Sequence, residues 1–264
     1  MQDLATLLPE VKKIAELAGE AILKVYHSDF DVEHKDDNSP LTAADTAAHE
    51  IIMAGLKELT PELPCLSEEG ADIPYATRKT WAHYWLVDPL DGTREFVKKN
   101  GEFTVNIALI DNGEPVLGVV FAPDMNKSWY AARGVGAFKF EQGQEQPIAT
   151  TVTVDGKPKV LVSKSHRGAE VDALLERLPD YEALSVGSSL KFCVIAEGAA
   201  NFYPRLGPTS EWDTGAGHAV LAVAGGRVTE TSGADLRYNQ KDSLLNPYFL
   251  AFGDPQANWG EYLP

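Results

Sequence analysis

The chain has 264 residues, of which 44% are hydrophobic and 23% are charged, a composition typical of a globular protein with one or two domains. Its net charge of −16 argues against nucleic-acid binding, which requires a basic surface that displaces counterions. No apolar run approaches the ~18 residues of a membrane-spanning helix, and the amphipathic N-terminus lacks the basic start and apolar block of a secretory signal. Cys65 and Cys193 lie in apolar stretches, which predicts two reduced core thiols.

The N-terminal part of the chain has a mixed pattern of helices and strands. Apolar residues at helical spacing predict a long helix from Leu4 to Val25 and a second helix from about Ala43 to the residues before Pro61. Asp111-Asn112-Gly113 is a hairpin signal between two strands. Short apolar runs predict the strands of this part, at 65–67, 84–87, 103–110, 116–121, 128–132 and 136–140.

After the polar segment 141–156, strands and helices alternate. The predicted strands are 160–162, 184–186 and 201–203, and the predicted helices are 169–178, 188–197 and 214–224. This change of pattern predicts an N-terminal α+β domain, 1–150, and a C-terminal α/β domain, 151–264.

The stretch Asp88-Pro89-Leu90-Asp91-Gly92-Thr93 holds two carboxylates at the end of a predicted buried strand. Pro89 lacks an N–H and fixes φ, which favours a rigid turn between them. Asp91 and Gly92 then offer a carboxylate and an unobstructed backbone N–H. Oxygen ligands for a cation beside a donor for an anion suit Mg²⁺ and a phosphate.

Other acidic residues occur at element ends, and each has an ordinary alternative. Glu68 and Glu69 follow a strand and could form a solvated turn, Asp213 could be a helix N-cap, and Asp45 could offset a helix dipole. Glu68-Glu69 and the Asp88 stretch both follow apolar strands, so their side chains could project from one sheet edge. Asp213 could be a further metal ligand there.

Basic residues His166, Lys191 and Arg205 lie at strand or helix ends of the α/β part. Open sheets bind ligands at the carboxyl ends of their strands, so three such residues suggest an anion site. Gly187-Ser188-Ser189 opens a helix and suits either a cap or an anion cradle.

Three of these motifs together resemble a known family. Glu68-Glu69, the stretch from Asp88 to Thr93, and Trp212-Asp213 resemble, in order, the metal motifs of the inositol monophosphatase superfamily of lithium-sensitive, Mg²⁺-dependent phosphatases. Four stretches are still more similar to the bacterial CysQ-type 3'(2'),5'-bisphosphate nucleotidases, namely 88–96, 100–110, 187–193 and 196–198. The resemblance covers nearly the whole chain. It implies an α/β fold of the layered αβαβα sandwich type, with an N-terminal α+β half and a C-terminal α/β half.

The resemblance also implies roles for individual residues. Asp45 and Thr93 would orient and deprotonate the attacking water, Glu69 would assist through water, and the N–H groups of Gly92 and Thr93 would hold the scissile phosphate. The implied metal ligands are the side chains of Glu68, Asp88, Asp91 and Asp213 and the carbonyl of Leu90. The residues implied in substrate binding beyond the scissile phosphate are His166, Ser188, Lys191, Arg205 and Asp213, with Ser189 a weaker candidate.

The implied reaction is removal of the 3'-phosphate of adenosine 3',5'-bisphosphate, with two or three Mg²⁺ ions that activate water and stabilise the departing oxygen. Two alternatives stay open: an inositol or sugar monophosphatase of the same superfamily, and a non-catalytic Mg²⁺ or nucleotide sensor. The resemblance further implies a role in sulfate assimilation and inhibition by lithium. The expected location is the cytoplasm, with the cytoplasmic face of the inner membrane as the alternative, and the expected assembly is a monomer or a homodimer.

Overall fold

The structure is a computed structural model that describes residues 3–28, 40–152, 156–162 and 168–264. Helices α1 (Leu4–Tyr26) and α2 (Pro40–Leu59) confirm the two predicted N-terminal helices, and they pack against each other. Helix α1 begins after Asp3, whose side chain accepts a hydrogen bond from the Ala5 amide at 3.2 Å. Helix α2 begins earlier than predicted because proline is well suited to the first position of a helix.

A seven-stranded sheet follows, in which neighbouring strands are also neighbours along the chain. Its first two strands are parallel and all other pairs are antiparallel. Asn112 and Gly113 have φ values of 50° and 82°, as a two-residue hairpin turn requires, which confirms the predicted hairpin. The strands are β1 (Cys65–Ser67), β2 (His83–Asp91), β3 (Thr104–Asp111), β4 (Glu114–Ala122), β5 (Lys127–Ala132), β6 (Gly136–Glu141) and β7 (Gln144–Pro147). The short helices α3 (Tyr75–Arg78) and α4 (Thr93–Val97), like β7, were not predicted.

Strand β2 contains a bulge where a turn at Pro89 was expected. Asp88 pairs with Asn106 and Asp91 pairs with Thr104, so β2 has one more residue than β3 between these two pairs. The chain therefore stays extended, and Pro89 lies where the ladder is irregular. In a regular strand, Asp88 and Asp91 would point to opposite faces, whereas the extra residue brings both carboxylates to the same face.

The second sheet has five strands in the order β11-β12-β10-β8-β9. Strand β8 pairs in parallel with β9 and β10, and β12 pairs antiparallel with β10 and β11. Its strands are β8 (Lys159–Val162), β9 (Glu182–Ser185), β10 (Phe202–Arg205), β11 (Arg227–Glu230) and β12 (Phe249–Phe252), of which the last two were not predicted. The helices in this half of the chain are α5 (Ala169–Arg177), α6 (Leu190–Ala196) and α7 (Gly215–Val223), each within the predicted range.

The elements stack in five layers, which confirms the expected αβαβα sandwich. Along β2, Trp85 and Val87 pack with α1 and α2, whereas Tyr84 and Leu86 pack with α6 and α7 on the other face. Helices α6 and α7 thus lie between the two sheets, and α5 covers the outer face of the second sheet. The chain passes from one sheet to the other between Pro147 and Lys159, and the proposed domain division at residue 150 falls in this segment.

Candidate active site

Three carboxylates from distant parts of the chain meet where the first sheet faces the central helix layer. Glu68 lies in a 3-10 turn after β1, Asp88 lies on β2, and Asp213 lies just before α7. One oxygen of each lies within 4.8 Å of one oxygen of each of the others. Asp213 is not the N-cap of α7, which is Thr214; its Oδ2 accepts a hydrogen bond from the Ser210 amide at 2.8 Å.

The electrostatics of this group are unfavourable for three negative charges. Burial, followed by repulsion from Asp91, raises the pKa of Asp88 well above its ordinary value and that of Asp213 to about 7. Glu68 lies at the exposed rim, where partial desolvation and the charges of Asp91 and Glu69 raise its pKa. Clustered hard oxygen atoms without a countercharge are the donor set of a divalent cation such as Mg²⁺.

Asp45 and Glu69 lie beside this group. Partial burial raises the pKa of Asp45 to about 8, together with the charge of Glu69 and a hydrogen bond to it. The Asp45 Oδ1 atom is buried and has no hydrogen-bond partner among the residues described. Thr93 is exposed at the start of α4, and the contacts of the described residues include no Asp45–Thr93 hydrogen bond. That interaction stays a prediction.

Asp91 turns toward the second half of the chain. Its Oδ2 accepts hydrogen bonds from the Ser188 hydroxyl and, at 2.6 Å, from the Ser189 amide. Leu90, which lies between the two aspartates, is buried, and its amide donates to Asp88 Oδ1 at 3.1 Å.

Gly92 ends β2 with a φ of 91°, in the left-handed region that favours glycine. A Cβ at this position would lie 3.0 Å from the carbonyl oxygen of Glu102. The glycine therefore allows the chain to turn into α4 directly after Asp91.

One cavity of about 330 Å³ is lined by two of the acidic residues together with basic ones, whereas Glu68, Asp88, Asp45 and Glu69 are not on its wall. Asp91 and Asp213 line it together with Lys191 and Arg205. The other predicted site residues on its wall are Gly92, Thr93, Ser188 and Ser189. The structure therefore brings together site residues from both sheets, at the carboxyl ends of β2 and β10 and the start of α6.

Lys191 and Arg205, the two predicted cations on the wall of this cavity, which Arg94 also lines, differ in their surroundings. Lys191 is only 5% exposed; its Nζ donates to the Ser188 carbonyl at 3.0 Å, and burial lowers its pKa to about 8. Arg205 donates from Nη2 to the Pro208 carbonyl at 2.7 Å, whereas its Nε is buried and has no partner within the described part of the chain. Such an orphaned donor is a site for an acceptor from a ligand. His166, the third predicted cation, lies outside the described residues.

Sequence reasoning missed Thr104 and Asn106, which are buried beside the site on β3. Their hydroxyl and amide groups contact Ser188 and Ser189. The signal was present, because two polar residues at alternate positions interrupt an otherwise apolar strand and so share one of its faces.

The layered fold thus places a carboxylate group of the kind that binds a divalent cation beside a cavity lined by basic residues. The sequence model of the Inositol monophosphatase family matches residues 3–257, and the chain belongs to this family. This confirms the resemblance seen in the sequence, and membership implies dependence on a divalent metal.

Individual relatives narrow the similarity further. The chain is 53% identical over 247 residues to the 3'(2'),5'-bisphosphate nucleotidase CysQ of Escherichia coli K12, covering 92% of this chain and 98% of that protein. The crystal structure of CysQ from Bacteroides thetaiotaomicron superposes with a TM-score of 0.87 at 40% identity, covering 94% of this chain and 97% of that chain. An inositol monophosphatase from Anabaena shares the fold, with a TM-score of 0.80 at 24% identity over 99% of this chain and 97% of its own. Within the described residues, none of the helices combines the length and apolar character needed to cross a bilayer.

Proposed function

We propose that the protein is a Mg²⁺-dependent 3'(2'),5'-bisphosphate nucleotidase that converts adenosine 3',5'-bisphosphate into AMP and phosphate. The observation that supports this most directly is that one cavity is lined by the carboxylates of Asp91 and Asp213 together with Lys191 and Arg205. A polyol monophosphate offers these cations no second phosphate, whereas a nucleotide bisphosphate does. The name of the Escherichia coli relative, 3'(2'),5'-bisphosphate nucleotidase CysQ, agrees with this choice.

The donor set fits Mg²⁺. The side chains of Glu68, Asp88, Asp91 and Asp213 and the Leu90 carbonyl would hold two or three ions, with waters and substrate oxygens completing their shells. The raised pKa values of the carboxylates and the orphaned Asp45 oxygen indicate that a polar or cationic partner belongs there. When bound, the ions would lower the pKa of a water molecule and neutralise charge on the departing oxygen.

The chain's own residues would position the reacting groups. Asp45 would accept a proton from the attacking water at its carboxylate, and Glu69, its hydrogen-bond partner, would orient it. The Thr93 hydroxyl would hold the same water, and the amides of Gly92 and Thr93 would donate to the scissile phosphate. On the wall of the same cavity, Arg205 Nε and the Lys191 ammonium would bind the second phosphate. We assign Ser188 and His166 to the nucleoside.

The test compares kcat/KM for adenosine 3',5'-bisphosphate, 3'-AMP and inositol 1-phosphate, all with Mg²⁺. We expect a preference for the bisphosphate over both monophosphates. A preference for inositol 1-phosphate would instead identify a polyol monophosphatase, and binding without phosphate release would identify a sensor.

A variant makes the same test specific to the second phosphate. Lys191→Met keeps the length of the side chain but removes its charge, so we expect KM for the bisphosphate to rise ~10-fold or more and KM for 3'-AMP to change little. Lys157→Met, at an exposed lysine paired with Asp180, is the matched control. An equal effect on both substrates would contradict the assignment of Lys191.

We further place the protein in the cytoplasm, with the cytoplasmic face of the inner membrane as the alternative, and expect a monomer or a homodimer. Cell fractionation and light scattering test these two expectations.

A further inference from the structure

Strand β3 has a polar end on the face that packs against the central helices. Ala108 and Ile110 continue this face into the core, whereas Thr104 and Asn106 are 0% and 1% exposed. Buried hydroxyl and amide groups require partners, because an unpaired one costs free energy. The residues that Thr104 and Asn106 contact therefore indicate the role of this end of β3.

Those partners lie in the loop that begins α6, which we call the 187–189 loop. Thr104 Oγ1 lies 2.8 Å from the hydroxyl oxygen of Ser188 and 2.8 Å from that of Ser189. Ser189 Oγ lies 2.8 Å from Asn106 Oδ1. Just before β3, the Glu102 carboxylate accepts a hydrogen bond from the Gly187 amide at 2.9 Å. The N-terminal end of β3 and the residue Glu102 before it therefore contact every residue of this loop.

The same loop holds Asp91. The Ser188 hydroxyl and the Ser189 amide both donate to Asp91 Oδ2. On the neighbouring strand β2, Asp91 is paired directly with Thr104 of β3. Since Ser188 gives its hydroxyl proton to Asp91, it can only accept from Thr104. The Ser189 hydroxyl gives its single proton to Asn106 Oδ1, which can only accept. The hydroxyl groups of Thr104 and Ser188 thus form a chain of donors that ends on the Asp91 carboxylate, and each bond polarises the next.

Two further observations show that this arrangement is specific. Ser188 has a φ of 50°, a left-handed conformation that a non-glycine residue keeps only where its surroundings hold it. Asn106 lies opposite Asp88, and its Nδ2 is buried without a partner among the residues that the structure describes. An unused donor on the face that bears the carboxylates is placed to meet an acceptor that arrives with a ligand.

We propose that Thr104 and Asn106 are positioning residues that join the metal ligand Asp91 to the 187–189 loop, so that the metal site and the substrate-binding loop form as one unit. The inference rests on the proposed function for the roles of Asp91 and Ser188. Because hydrogen-bonded carboxylates keep their orientation as metal ligands, loss of the Thr104 hydroxyl weakens metal binding. It also loosens the loop that contacts substrate, and the coupling acts equally in both directions.

The test uses the metal alone before any substrate is added. Mn²⁺ is titrated calorimetrically into the metal-free full-length chain, for wild type, Thr104→Val and Thr104→Ser. Valine has the shape of threonine without the hydroxyl, and serine keeps the hydroxyl. We expect the Mn²⁺ Kd to rise ~10-fold in Thr104→Val and to stay within about twofold of wild type in Thr104→Ser.

Thr60→Val is the matched control. Thr60 is also buried; its hydroxyl donates to the Leu56 carbonyl at 3.1 Å and accepts from the Trp85 indole at 2.8 Å, on the other face of the sheet. We expect this variant to lower Tm with no change in Mn²⁺ Kd. Ser189→Ala, a smaller truncation that keeps the Ser189 amide, replaces Thr104→Val if the latter does not fold, with the same expected direction.

Kinetics with saturating Mg²⁺ complete the test. KM for the bisphosphate is expected to rise in Thr104→Val and to recover in Thr104→Ser. If Thr104→Val lowers only Tm and leaves Mn²⁺ Kd and KM at wild-type values, the hydroxyl is merely structural and the proposal is wrong. If Mn²⁺ Kd shifts as expected but the wild type does not hydrolyse the bisphosphate, the proposed function fails while the link between Thr104 and the metal site stands.

Discussion

At the scale of single residues, the Asp91 carboxylate has two effects: its hydrogen bonds fix its own orientation, and its charge acts on the neighbouring carboxylates. Its Oδ2 accepts hydrogen bonds from Ser188 and Ser189, which fixes its orientation. Its charge raises the pKa of Glu68, Asp88 and Asp213, so in the metal-free protein it opposes the ionisation of its neighbours. A residue that destabilises its surroundings in this way is typical of a functional site.

Asp91→Asn separates these two contributions, since it keeps the shape and removes the charge. We expect kcat to fall at least ~100-fold, because a metal ligand is lost. We expect the metal-free Tm to be equal or higher, because repulsion within the carboxylate group is relieved. Phosphate release and thermal unfolding measure the two quantities. A wild-type kcat in this variant would count decisively against the metal assignment.

The sequence indicates which residues carry the chemistry of the site more clearly than it indicates which distant residues they contact. Glu68, Asp88 and Asp213 could be singled out because each follows or precedes a predicted element and belongs to a motif. Thr104 could be seen as a polar interruption of an apolar strand, but its partner Ser188 lies 84 positions further along the chain. Only the fold shows which distant hydroxyl satisfies a buried one.

At the scale of elements, the position of α7 determines where Asp213 lies, and Gly118 on β4 permits that position. A Cβ at Gly118 would clash with the Ala216 carbonyl oxygen and would lie 2.7 Å from the Ala219 Cβ. The backbones of β4 and α7 therefore approach closely at this point, and any side chain on Gly118 would force them apart.

Gly118→Ala is expected to lower the free energy of unfolding by ~1–3 kcal/mol, because overpacking at a backbone contact displaces the helix. It is also expected to weaken metal binding, since Asp213 precedes α7 and would move relative to Asp88. Urea unfolding and a Mn²⁺ titration measure both effects. Gly207→Ala, where no atom lies within 4 Å of the added Cβ, is the control for the stability measurement. Equal stabilities of the two variants would contradict the packing argument.

Strands β7 and β11, which the sequence did not predict, have little hydrophobic pattern of their own and form through pairing with neighbouring strands. Strand β7 (Gln144–Pro147) is exposed along its whole length and has no apolar alternation; it forms because the turn at Gln142 and Gly143 folds it back onto β6. Strand β11 (Arg227–Glu230) offers one buried aliphatic residue, Val228, between polar ones. Long periodic helices and apolar strands were predicted correctly because their own side chains specify which face is buried.

At the scale of the whole molecule, the protein has a net charge of −16 and concentrates part of it in one carboxylate group. Distant surface charges are screened by salt beyond ~10 Å, so the local group dominates the electrostatics of the site. Its carboxylates are partly or wholly withdrawn from water, and the energetic cost of ionising them has to be offset by something that binds there. Metal-free stability should therefore depend on pH in a characteristic way.

In the folded metal-free protein, the pKa of Asp45 is about 8 and that of Asp213 about 7, against an ordinary value of 3.8 for both. A carboxyl group with a raised pKa contributes stability that is present below the unfolded value and is lost as pH rises through the folded value. We therefore expect the metal-free Tm to fall between about pH 6.5 and pH 8. This window avoids His218, whose pKa burial lowers from 6.5 to about 4 and which destabilises the fold only at lower pH. Glu211, whose pKa burial raises to about 7, adds to the fall in the same window, so the contribution of the carboxylate group is measured with Asp45→Asn.

Mg²⁺ should reverse this loss, because a divalent cation supplies the missing countercharge and binds only the folded state. We expect the rise in Tm on adding Mg²⁺ to be larger at about pH 8 than at about pH 6.5, measured by calorimetry at ionic strength matched with NaCl. Asp45→Asn should flatten the metal-free profile, since it removes the group that titrates last. A metal-free Tm independent of pH, or an equal Mg²⁺ effect at both pH values, would show that the carboxylates are not what the cation stabilises.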